Sequence, residues 1–409
     1  GLITAISSGT VNLTASAAGD TDYSAASTTQ VITIGQASQT LTITSANTLN
    51  VDGTLTVTVI TTATGGRGGA ITFAISSGTG SATVDATTGL ITAISSGTVN
   101  LTASAAGDTD YSAASTTQVI TIGQSSQTLT ITSADTLNVD GTLTATVITT
   151  ATGGRGGAIT FGITSGTGSA TADATTGLIT AISAGTVNLT ASAAGDSDYS
   201  AASTTQVITI GQASQTLTIT SADTMNVDGT LTATVVTTAT GGRGGAITFA
   251  ITSGTGSATV DATTGLITAI SSGTVNLTAS AAGDTDYSAA STTQIITIGQ
   301  SSQTLTITSA DTMNVDGTLT ATVVTTATGG RGGAITFAIT SGTGSATVDA
   351  TTGLITAISS GTVNLTASAV GDSDYSAAST TQVITIGQAS QTLTITSADT
   401  LNVDGTLTA

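Results

Sequence analysis

The fold is decided by residues 80–122, which read GSATVDATTGLITAISSGTVNLTASAAGDTDYSAASTTQVITI. Along this stretch apolar residues alternate with polar ones, as in Val99, Leu101 and Ala103, which have Asn and Thr between them. Turn sequences such as Thr88-Gly89 separate the alternating runs. Alternation with a period of two, bounded by Gly and Asp, is typical of half-buried β-strands. The stretch therefore predicts short antiparallel strands joined by tight turns.

The same pattern recurs along the whole chain with a period of 88 residues. The heptapeptide GLITAIS begins at Gly1, Gly89, Gly177, Gly265 and Gly353. Complete copies of the repeat cover 36–123, 124–211, 212–299 and 300–387, while 1–35 is the C-terminal part of one repeat and 388–409 is the N-terminal part of another. A unit of this length can bury a core of its own. We expect each complete copy to fold as a separate domain.

Each repeat contains seven apolar segments with the spacing of strands. In the first complete repeat they lie at 41–43, 55–59, 71–75, 82–84, 90–94, 99–103 and 119–122, without helical periodicity. Short strands at intervals of about 8–12 residues are typical of a β-sandwich. We therefore predict an all-β protein made of tandem seven-stranded antiparallel β-sandwich domains. The short connection Gly123-Gln124-Ser125 between two repeats favours an extended rod.

Residues 80–122 resemble the bacterial immunoglobulin-like (Big-type) repeats of large bacterial surface proteins and adhesins. The resemblance rests on the TVDATTGLITA hairpin at 83–93 and the GTVNLTA segment at 97–103, and it extends to SQTLTIT at 38–44 and GDTDYSAA at 107–114. It covers every repeat, although such repeats commonly contain Lys and Pro and this chain has neither. The resemblance implies an Ig-like fold, an extracellular or cell-surface location, and a role as the structural extension, or stalk, of a giant adhesin or surface fibre.

The composition excludes most catalytic chemistry. The chain has no Cys, His, Lys or Glu, and it has 4 Arg against 23 Asp, with a formal net charge of −19. The common nucleophile–base pairs, lysine Schiff bases and zinc sites all need residue types that are missing. Binding of nucleic acid needs many Lys and Arg side chains to displace counterions. We expect no enzyme activity, no nucleic-acid partner and, since no stretch approaches 18 consecutive apolar residues, no membrane insertion of this segment.

The strongest candidate for a binding site is acidic. Asp108 and Asp110 in GDTDYS, together with their equivalents, could supply oxygen ligands to Ca²⁺ from a loop. The alternative is that these aspartates begin turns and provide solubility. The equivalent pairs are Asp196 and Asp198, Asp284 and Asp286, and Asp372 and Asp374.

The single cation of each repeat is the candidate interface residue. Arg67 lies in GGRGG and recurs as Arg155, Arg243 and Arg331. Its guanidinium could bridge to an Asp of the adjoining domain or of a neighbouring chain. The alternative is an exposed hairpin tip. Tyr111 in the acidic loop is expected to cover the end of a sandwich, or alternatively to form a stacking platform for a sugar.

The outward positions of the strands suggest a second class of function. They are mostly Thr and Ser, and no Lys protects the sheet edges against pairing with other chains. The partners of each repeat are expected to be its neighbours in the same chain, with lateral association into a homo-oligomer or filament as the alternative. A self-assembling extracellular filament or sheath subunit is therefore the second candidate function, and an array of carbohydrate-binding modules is the third.

Overall fold

The computed structural model describes residues 1–397, 399–401, 403–406 and 408, and all regular structure in them is β-strand. None of these residues forms a helix that could cross a bilayer. The chain divides into two compact units, Gly1–Gly211 and Gln212–Ala409. Each unit is described by itself below.

The strands repeat with the period of the sequence. Residues 1–35 contain β1 (Gly9–Ala17) and β2 (Ala26–Ile34), which form a hairpin. The strands of 36–123 are β3 (Leu41–Ile43), β4 (Thr48–Asn50), β5 (Thr54–Thr56), β6 (Val59–Thr61), β7 (Ile71–Gly78), β8 (Ser81–Val84), β9 (Leu90–Ser95), β10 (Gly97–Ala105) and β11 (Ala114–Gly123).

The other complete repeats contain the same nine strands in the same order. In 124–211 they are β12 (Leu129–Ile131), β13 (Thr136–Asn138), β14 (Thr142–Thr144), β15 (Val147–Thr149), β16 (Ile159–Gly166), β17 (Ser169–Ala172), β18 (Leu178–Ser183), β19 (Gly185–Ala193) and β20 (Ala202–Gly211). In 212–299 they are β21 (Leu217–Ile219), β22 (Thr224–Asn226), β23 (Thr230–Thr232), β24 (Val235–Thr237), β25 (Ile247–Gly254), β26 (Ser257–Val260), β27 (Leu266–Ser271), β28 (Gly273–Ala281) and β29 (Ala290–Gly299). In 300–387 they are β30 (Leu305–Ile307), β31 (Thr312–Asn314), β32 (Thr318–Thr320), β33 (Val323–Thr325), β34 (Ile335–Gly342), β35 (Ser345–Val348), β36 (Leu354–Ser359), β37 (Gly361–Ala369) and β38 (Ala378–Gly387).

Each complete repeat is a two-layered β-sandwich. In 36–123 one layer has the strand order β4-β11-β10-β7, and the other contains β5-β9-β8 and the pair β3-β6. Val57 and Thr58 connect β5 to β6. The Val57 N–H donates to the Gly89 carbonyl oxygen at 3.0 Å, and the Thr44 N–H donates to the Thr58 carbonyl oxygen at 2.9 Å. Six of the seven predicted segments therefore correspond to one assigned strand each, the second is divided into β5 and β6, and β4 is an additional strand that the sequence did not predict.

One strand pairing differs from the fully antiparallel arrangement that the sequence predicts. β4 pairs with β11 in parallel, with Thr48 opposite Thr121 and Asn50 opposite Gly123. β4 reads TLN and has a single apolar residue, which is too little for a recognisable alternation. The same parallel pair occurs in the other three complete repeats.

The core lies between the two layers, as the alternation predicts. Ile91 on β9, Leu101 on β10 and Ile120 on β11 are fully buried, and Phe73 on β7 packs against them in a half-buried position. Thr and Ser occupy most of the intervening positions, so the outer faces are hydroxylated and uncharged. Burial of these aliphatic side chains supplies most of the stability of a repeat.

Candidate functional site

The acidic loop is organised by its first aspartate. In the repeat 124–211, Asp196 Oδ1 accepts hydrogen bonds from the backbone N–H groups of Asp198 at 2.8 Å and Tyr199 at 2.9 Å. Its Oδ2 accepts from the N–H of Gly156, in the GGRGG loop, at 2.6 Å. These hydrogen bonds, that of Gly156 foremost, lower the pKa of Asp196. Asp196 therefore connects the acidic loop (GDSDYS, 195–200) to the arginine loop (GGRGG, 153–157). Asp108, Asp284 and Asp372 accept from the equivalent three donors in their repeats.

A buried glutamine holds the same two loops to the first strand. Gln127 is 6% exposed, and its Nε2 donates to the carbonyl oxygens of Gly156 at 2.7 Å and Ser200 at 2.9 Å. Gly156 has a φ of +94°, and a Cβ at this position would lie 2.4 Å from Gln127 Oε1. Only glycine can adopt this φ and fit beside Gln127 without strain.

The tyrosine of the acidic loop packs into the preceding repeat. Tyr199 is 3% exposed and belongs to the core cluster of 36–123, together with Val51 and Ile91. In the second unit Tyr375 is also 3% exposed and belongs to the core of 212–299. Tyr23, in the partial repeat 1–35, is 79% exposed. The ring thus covers the end of a sandwich, as the sequence suggested, but the sandwich is that of the neighbouring repeat.

The tyrosine hydroxyl meets an aspartate at the end of that neighbouring sandwich. Asp52 Oδ2 accepts hydrogen bonds from Tyr199 Oη and, at 2.9 Å, from Thr152 Oγ1. Asp52 Oδ1 accepts from Arg155 Nη2 at 2.9 Å. Asp52 has a φ of +61° and lies in the turn between β4 and β5, next to Gly53. The hydroxyl of Tyr199, and after it the Arg155 guanidinium, lowers the pKa of Asp52.

The arginine joins both repeats. Arg155 Nε donates to the Thr152 carbonyl oxygen at 3.1 Å, and Nη1 donates to Asp198 Oδ2 at 3.4 Å, both within its own repeat. Across the junction Nη1 donates to the Ile94 carbonyl oxygen and Nη2 to Asp52. The guanidinium carbon lies 5.3 Å from the centre of the Tyr199 ring, within the range of a cation–π contact.

Two further hydrogen bonds cross the same junction. The Ser96 N–H donates to Asp198 Oδ1 at 2.8 Å, and Ser125 Oγ donates to the Val51 carbonyl oxygen. We call this set of contacts the joint: Tyr199, Arg155 and Asp198 on one repeat, and Asp52 and Ser96 on the other.

The second unit contains the same joint between 212–299 and 300–387. Arg331 Nη2 donates to Asp228 Oδ1 at 2.8 Å, Tyr375 Oη donates to Asp228 Oδ2, and the Ser272 N–H donates to Asp374 Oδ1 at 2.8 Å. The hydroxyl of Tyr375, with smaller effects of Arg331 and Thr328, lowers the pKa of Asp228 to about 2.

The structure places the predicted interface arginines at the ends of their repeats. Arg155 and Arg331 each form an ion pair with an aspartate of the adjoining repeat. Arg67 lies 3.3 Å from Asp110 and donates to the Ile6 carbonyl oxygen of the partial repeat 1–35. Within its own repeat, Arg243 lies 3.2 Å from Asp286.

The predicted calcium ligands are engaged in these contacts. Both oxygens of Asp196 and both of Asp198 accept hydrogen bonds from N–H groups or from Arg155, and the same holds for Asp108, Asp110, Asp372 and Asp374. Within the described residues no three acidic side chains are grouped so that they could hold a metal ion. A calcium ion would have to replace these donors, so the contacts argue against the site, which stays a prediction.

Sequence reasoning did not assign Asp52 to the joint. Asp52-Gly53 was recognisable as a turn, but nothing in the sequence indicates that this turn faces the acidic loop of the next repeat.

No protein-family model matches this sequence, and no curated protein matches it. Among solved structures, the chain is similar to the native conformation of the α-2-macroglobulin of E. coli, with 9% identity, a TM-score of 0.19, and coverage of 90% of this chain and 33% of that one. The chain therefore spans about a third of the macroglobulin.

The chain is also similar to fibronectin(III)-like modules of Clostridium thermocellum CbhA, with 14% identity, a TM-score of 0.18, and coverage of 42% of this chain and 94% of that one. Three N-terminal domains of the Hoc outer capsid protein of bacteriophage RB49 give 14% identity, a TM-score of 0.21, and coverage of 64% and 100%. At these TM-scores the likenesses carry no argument about function. The strand pairing itself defines the protein as a tandem β-sandwich repeat.

Proposed function

We propose that this chain is a non-catalytic stalk: a structural extension region of an extracellular or cell-surface protein, built from immunoglobulin-like repeats of the Big type. Its repeats would act as spacers whose number sets the reach of the whole protein. The sequence resemblance at 80–122 supports the repeat type. The lack of His, Cys, Lys and Glu supports the absence of catalysis.

The observation that carries the proposal is the joint. Two β-sandwiches linked by a three-residue connection can still bend unless side chains hold their ends together. In both units an aromatic ring is buried in the preceding repeat, and an arginine–aspartate pair closes over it. A joint with these contacts resists bending, which is the property that a stalk needs.

Small-angle scattering and electron microscopy of the chain test the proposal. A stalk gives a thin monomeric particle at all concentrations. Each repeat should span roughly 30–40 Å, so four complete repeats should reach at least about 120 Å. Tyr199→Ala and Tyr375→Ala in one chain should broaden the distribution of particle lengths, because both joints lose their buried ring. A compact particle, or one whose flexibility is unchanged by the two substitutions, would contradict the stalk.

The second candidate is a filament or sheath subunit with lateral contacts. Outward-facing apolar side chains recur in successive repeats and favour it: Ile60 and Ile148 are both 62% exposed, and Val119 and Val207 are 54% and 57% exposed. The net charge opposes close packing of chains at low salt. Bundles or sheets at micromolar concentration in physiological salt would support this candidate and exclude the stalk.

The third candidate, a carbohydrate-binding array, loses its main feature. The ring that would stack on a sugar is buried in the joint at Tyr199 and Tyr375.

A further inference from the structure

We propose that Asp52 and Asp228 are sites of aspartate isomerisation and that the joint keeps both residues unmodified, so that isoaspartate forms at them mainly where a joint has opened. Each is followed by glycine, in Asp52-Gly53 and Asp228-Gly229. The inference rests on the joint and holds whether or not the chain is a stalk.

Isomerisation of an Asp-Gly pair proceeds through a cyclic imide and needs no reagent except water. The backbone nitrogen of Gly53 forms a bond to Asp52 Cγ, and its proton leaves as water together with the hydroxyl of the protonated carboxyl. Water then adds to the main-chain carbonyl carbon of Asp52, and the bond from that carbon to the Gly53 nitrogen breaks. The main chain now runs through Cγ, and the mass is unchanged because one water is lost and one is regained. Glycine favours the reaction because it has no Cβ to hinder its nitrogen.

The Asp-Gly turn has the same sequence and backbone in three repeats that can be compared. Residues 50–55, 226–231 and 314–319 all read NVDGTL. The φ angles of Asp52, Asp228 and Asp316 are +61°, +60° and +64°. The N–H of the glycine that follows donates to the carbonyl oxygen of the asparagine in the same turn at 2.9, 2.9 and 3.0 Å. The intrinsic reactivity of the three Asp-Gly pairs should therefore be equal.

In the joint, both oxygens of the reacting carboxylate accept hydrogen bonds. Asp228 Oδ1 accepts from Arg331 Nη2 at 2.8 Å, and Oδ2 accepts from Thr328 Oγ1 at 2.8 Å and from Tyr375 Oη. Ring closure expels one of these oxygens, so it must break the hydrogen bonds on that oxygen, whichever of the two leaves. The Asp228 side chain is still 36% exposed. The hydrogen bonds, rather than exclusion of water, therefore oppose the reaction.

The same donors also keep the carboxylate ionised. The hydroxyl of Tyr375, followed by Arg331, lowers the pKa of Asp228 to about 2. The carboxyl has to be protonated before it can lose its hydroxyl. The donors therefore reduce the fraction of Asp228 that can react at neutral pH.

Asp316 provides the comparison within the same chain. Its repeat, 300–387, is followed by residues 388–409, which contain no arginine and no tyrosine. Counterparts of Arg331 and Tyr375 are thus absent from the segment that follows, while the turn itself is the same. We expect at least about tenfold more isoaspartate at Asp316 than at Asp52 or Asp228, because breaking one hydrogen bond to a charged group slows a reaction by roughly this factor.

Isomerisation of a joint aspartate should make the opening of that joint permanent. Isoaspartate adds a methylene group to the main chain and leaves the carboxylate attached directly to Cα. At Asp228 the carboxylate could then no longer occupy the position in which Arg331, Thr328 and Tyr375 donate to it. The modification would therefore record which joints have opened.

The four arginines allow each turn to be measured separately. Trypsin, added after the chain is denatured, should give five peptides with one Asp-Gly pair each; Asp52 lies in 1–67, Asp228 in 156–243 and Asp316 in 244–331. The folded chain is first kept for weeks at neutral pH and physiological temperature. Electron-transfer fragmentation in a mass spectrometer then quantifies isoaspartate in each peptide. An excess in 244–331 is expected, and equal amounts in the three peptides would overturn the proposal.

Two variants test the hydrogen bond of the tyrosine hydroxyl itself. Tyr199→Phe removes the donor to Asp52 and keeps the aromatic ring, and Tyr375→Phe does the same at Asp228. Isoaspartate should rise at Asp52 alone in the first variant and at Asp228 alone in the second, so that each variant is the control for the other. If neither variant changes the amount at its own aspartate, the joint does not protect these residues.

The unfolded chain provides the last control. In guanidinium chloride the joints are absent, and all the Asp-Gly pairs should form isoaspartate at the same rate. A difference between Asp316 and Asp228 that persists there would come from the local sequence and would contradict the protection. Bundling of the folded chain would contradict the stalk and leave this comparison unaffected.

Discussion

At the scale of single residues, the joint combines two kinds of contact that respond differently to solution conditions. The ring of Tyr375 is held by apolar burial, which hardly depends on pH. Its hydroxyl donates to Asp228, and this bond depends on the charge of the carboxylate. Asp228 also accepts hydrogen bonds from Arg331 and Thr328. This one exposed turn residue therefore binds three donors of the next repeat.

The charge-dependent part of the joint should weaken in acid. The pKa of Asp228 is lowered to about 2 in the folded chain, first by the hydroxyl of Tyr375, whereas its ordinary value is 3.8. A carboxyl whose folded pKa is lowered stabilises the fold above its unfolded pKa, and this contribution is lost as the pH falls toward the folded pKa. The stabilisation should therefore be complete above about pH 5 and should disappear between about pH 4 and pH 2.

Thermal melting of the chain and of Asp228→Asn between pH 7 and pH 2 checks this expectation. The other aspartates titrate in both proteins, so the difference between the two melting temperatures isolates Asp228. This difference should be largest near neutral pH and should shrink in acid. A difference that is constant over the whole range would mean that the charge of Asp228 contributes nothing to the joint.

At the scale of strands and loops, the arginine loop and the acidic loop behave as one structure. Gln127 and Asp196 connect them, and both contact Gly156. The sequence identified both loops as turns but treated them as separate candidate sites. Their contact depends on the folding of strands that lie about 40 residues apart in the chain, which no local pattern reveals.

Two glycines of the arginine loop make a matched test. Gly154 and Gly156 both have positive φ, at +73° and +94°, but a Cβ on Gly154 has no atom within 4 Å, whereas one on Gly156 would overlap Gln127. Gly154→Ala should cost about 1 kcal/mol for the backbone conformation alone. Gly156→Ala should cost clearly more, because the buried glutamine must also move. Denaturant unfolding of both variants compares them, and equal losses would mean that the contact with Gln127 is unimportant.

The calcium prediction belongs to the same loops. Each carboxylate oxygen of Asp196 and Asp198 already accepts from a backbone N–H or from Arg155. We therefore expect the melting temperature to be the same in millimolar Ca²⁺ and in excess chelator, because a ligand that binds the folded state would raise it. A rise in calcium that is reduced by Asp198→Asn would establish the site in that repeat, and its loops would then have to rearrange.

The strands show how much of the fold the alternation of apolar and polar residues predicts by itself. Segments such as 99–103, with a buried residue at every second position, were located correctly, because a half-buried strand needs that pattern. β4 was missed, since it is held by hydrogen bonds to β11 rather than by its own side-chain pattern. The interruption at Val57-Thr58 was missed for a similar reason: the apolar alternation continues through it.

At the scale of the whole molecule, the joint makes the stability of one repeat depend on its neighbour. Tyr199 belongs by sequence to 124–211 but by packing to the core of 36–123. Repeats that only touched at their surfaces would melt independently, whereas repeats that share a core residue are coupled. The sequence predicted the repeats and their boundaries. It did not predict the coupling, because that depends on which loops of one repeat contact the sandwich of the next.

The coupling predicts that a substitution in one repeat destabilises another. Tyr199→Ala should remove about 3 kcal/mol, and most of this loss should appear in 36–123, where the ring leaves a cavity. Hydrogen exchange followed by mass spectrometry can locate the loss, because peptides containing Val57 differ in mass from those containing Ala145. Tyr23→Ala is the matched control, since Tyr23 is 79% exposed and its removal should leave exchange unchanged. Faster exchange confined to 124–211 would mean that the ring stabilises only its own loop, and the two repeats would then have to be regarded as independent.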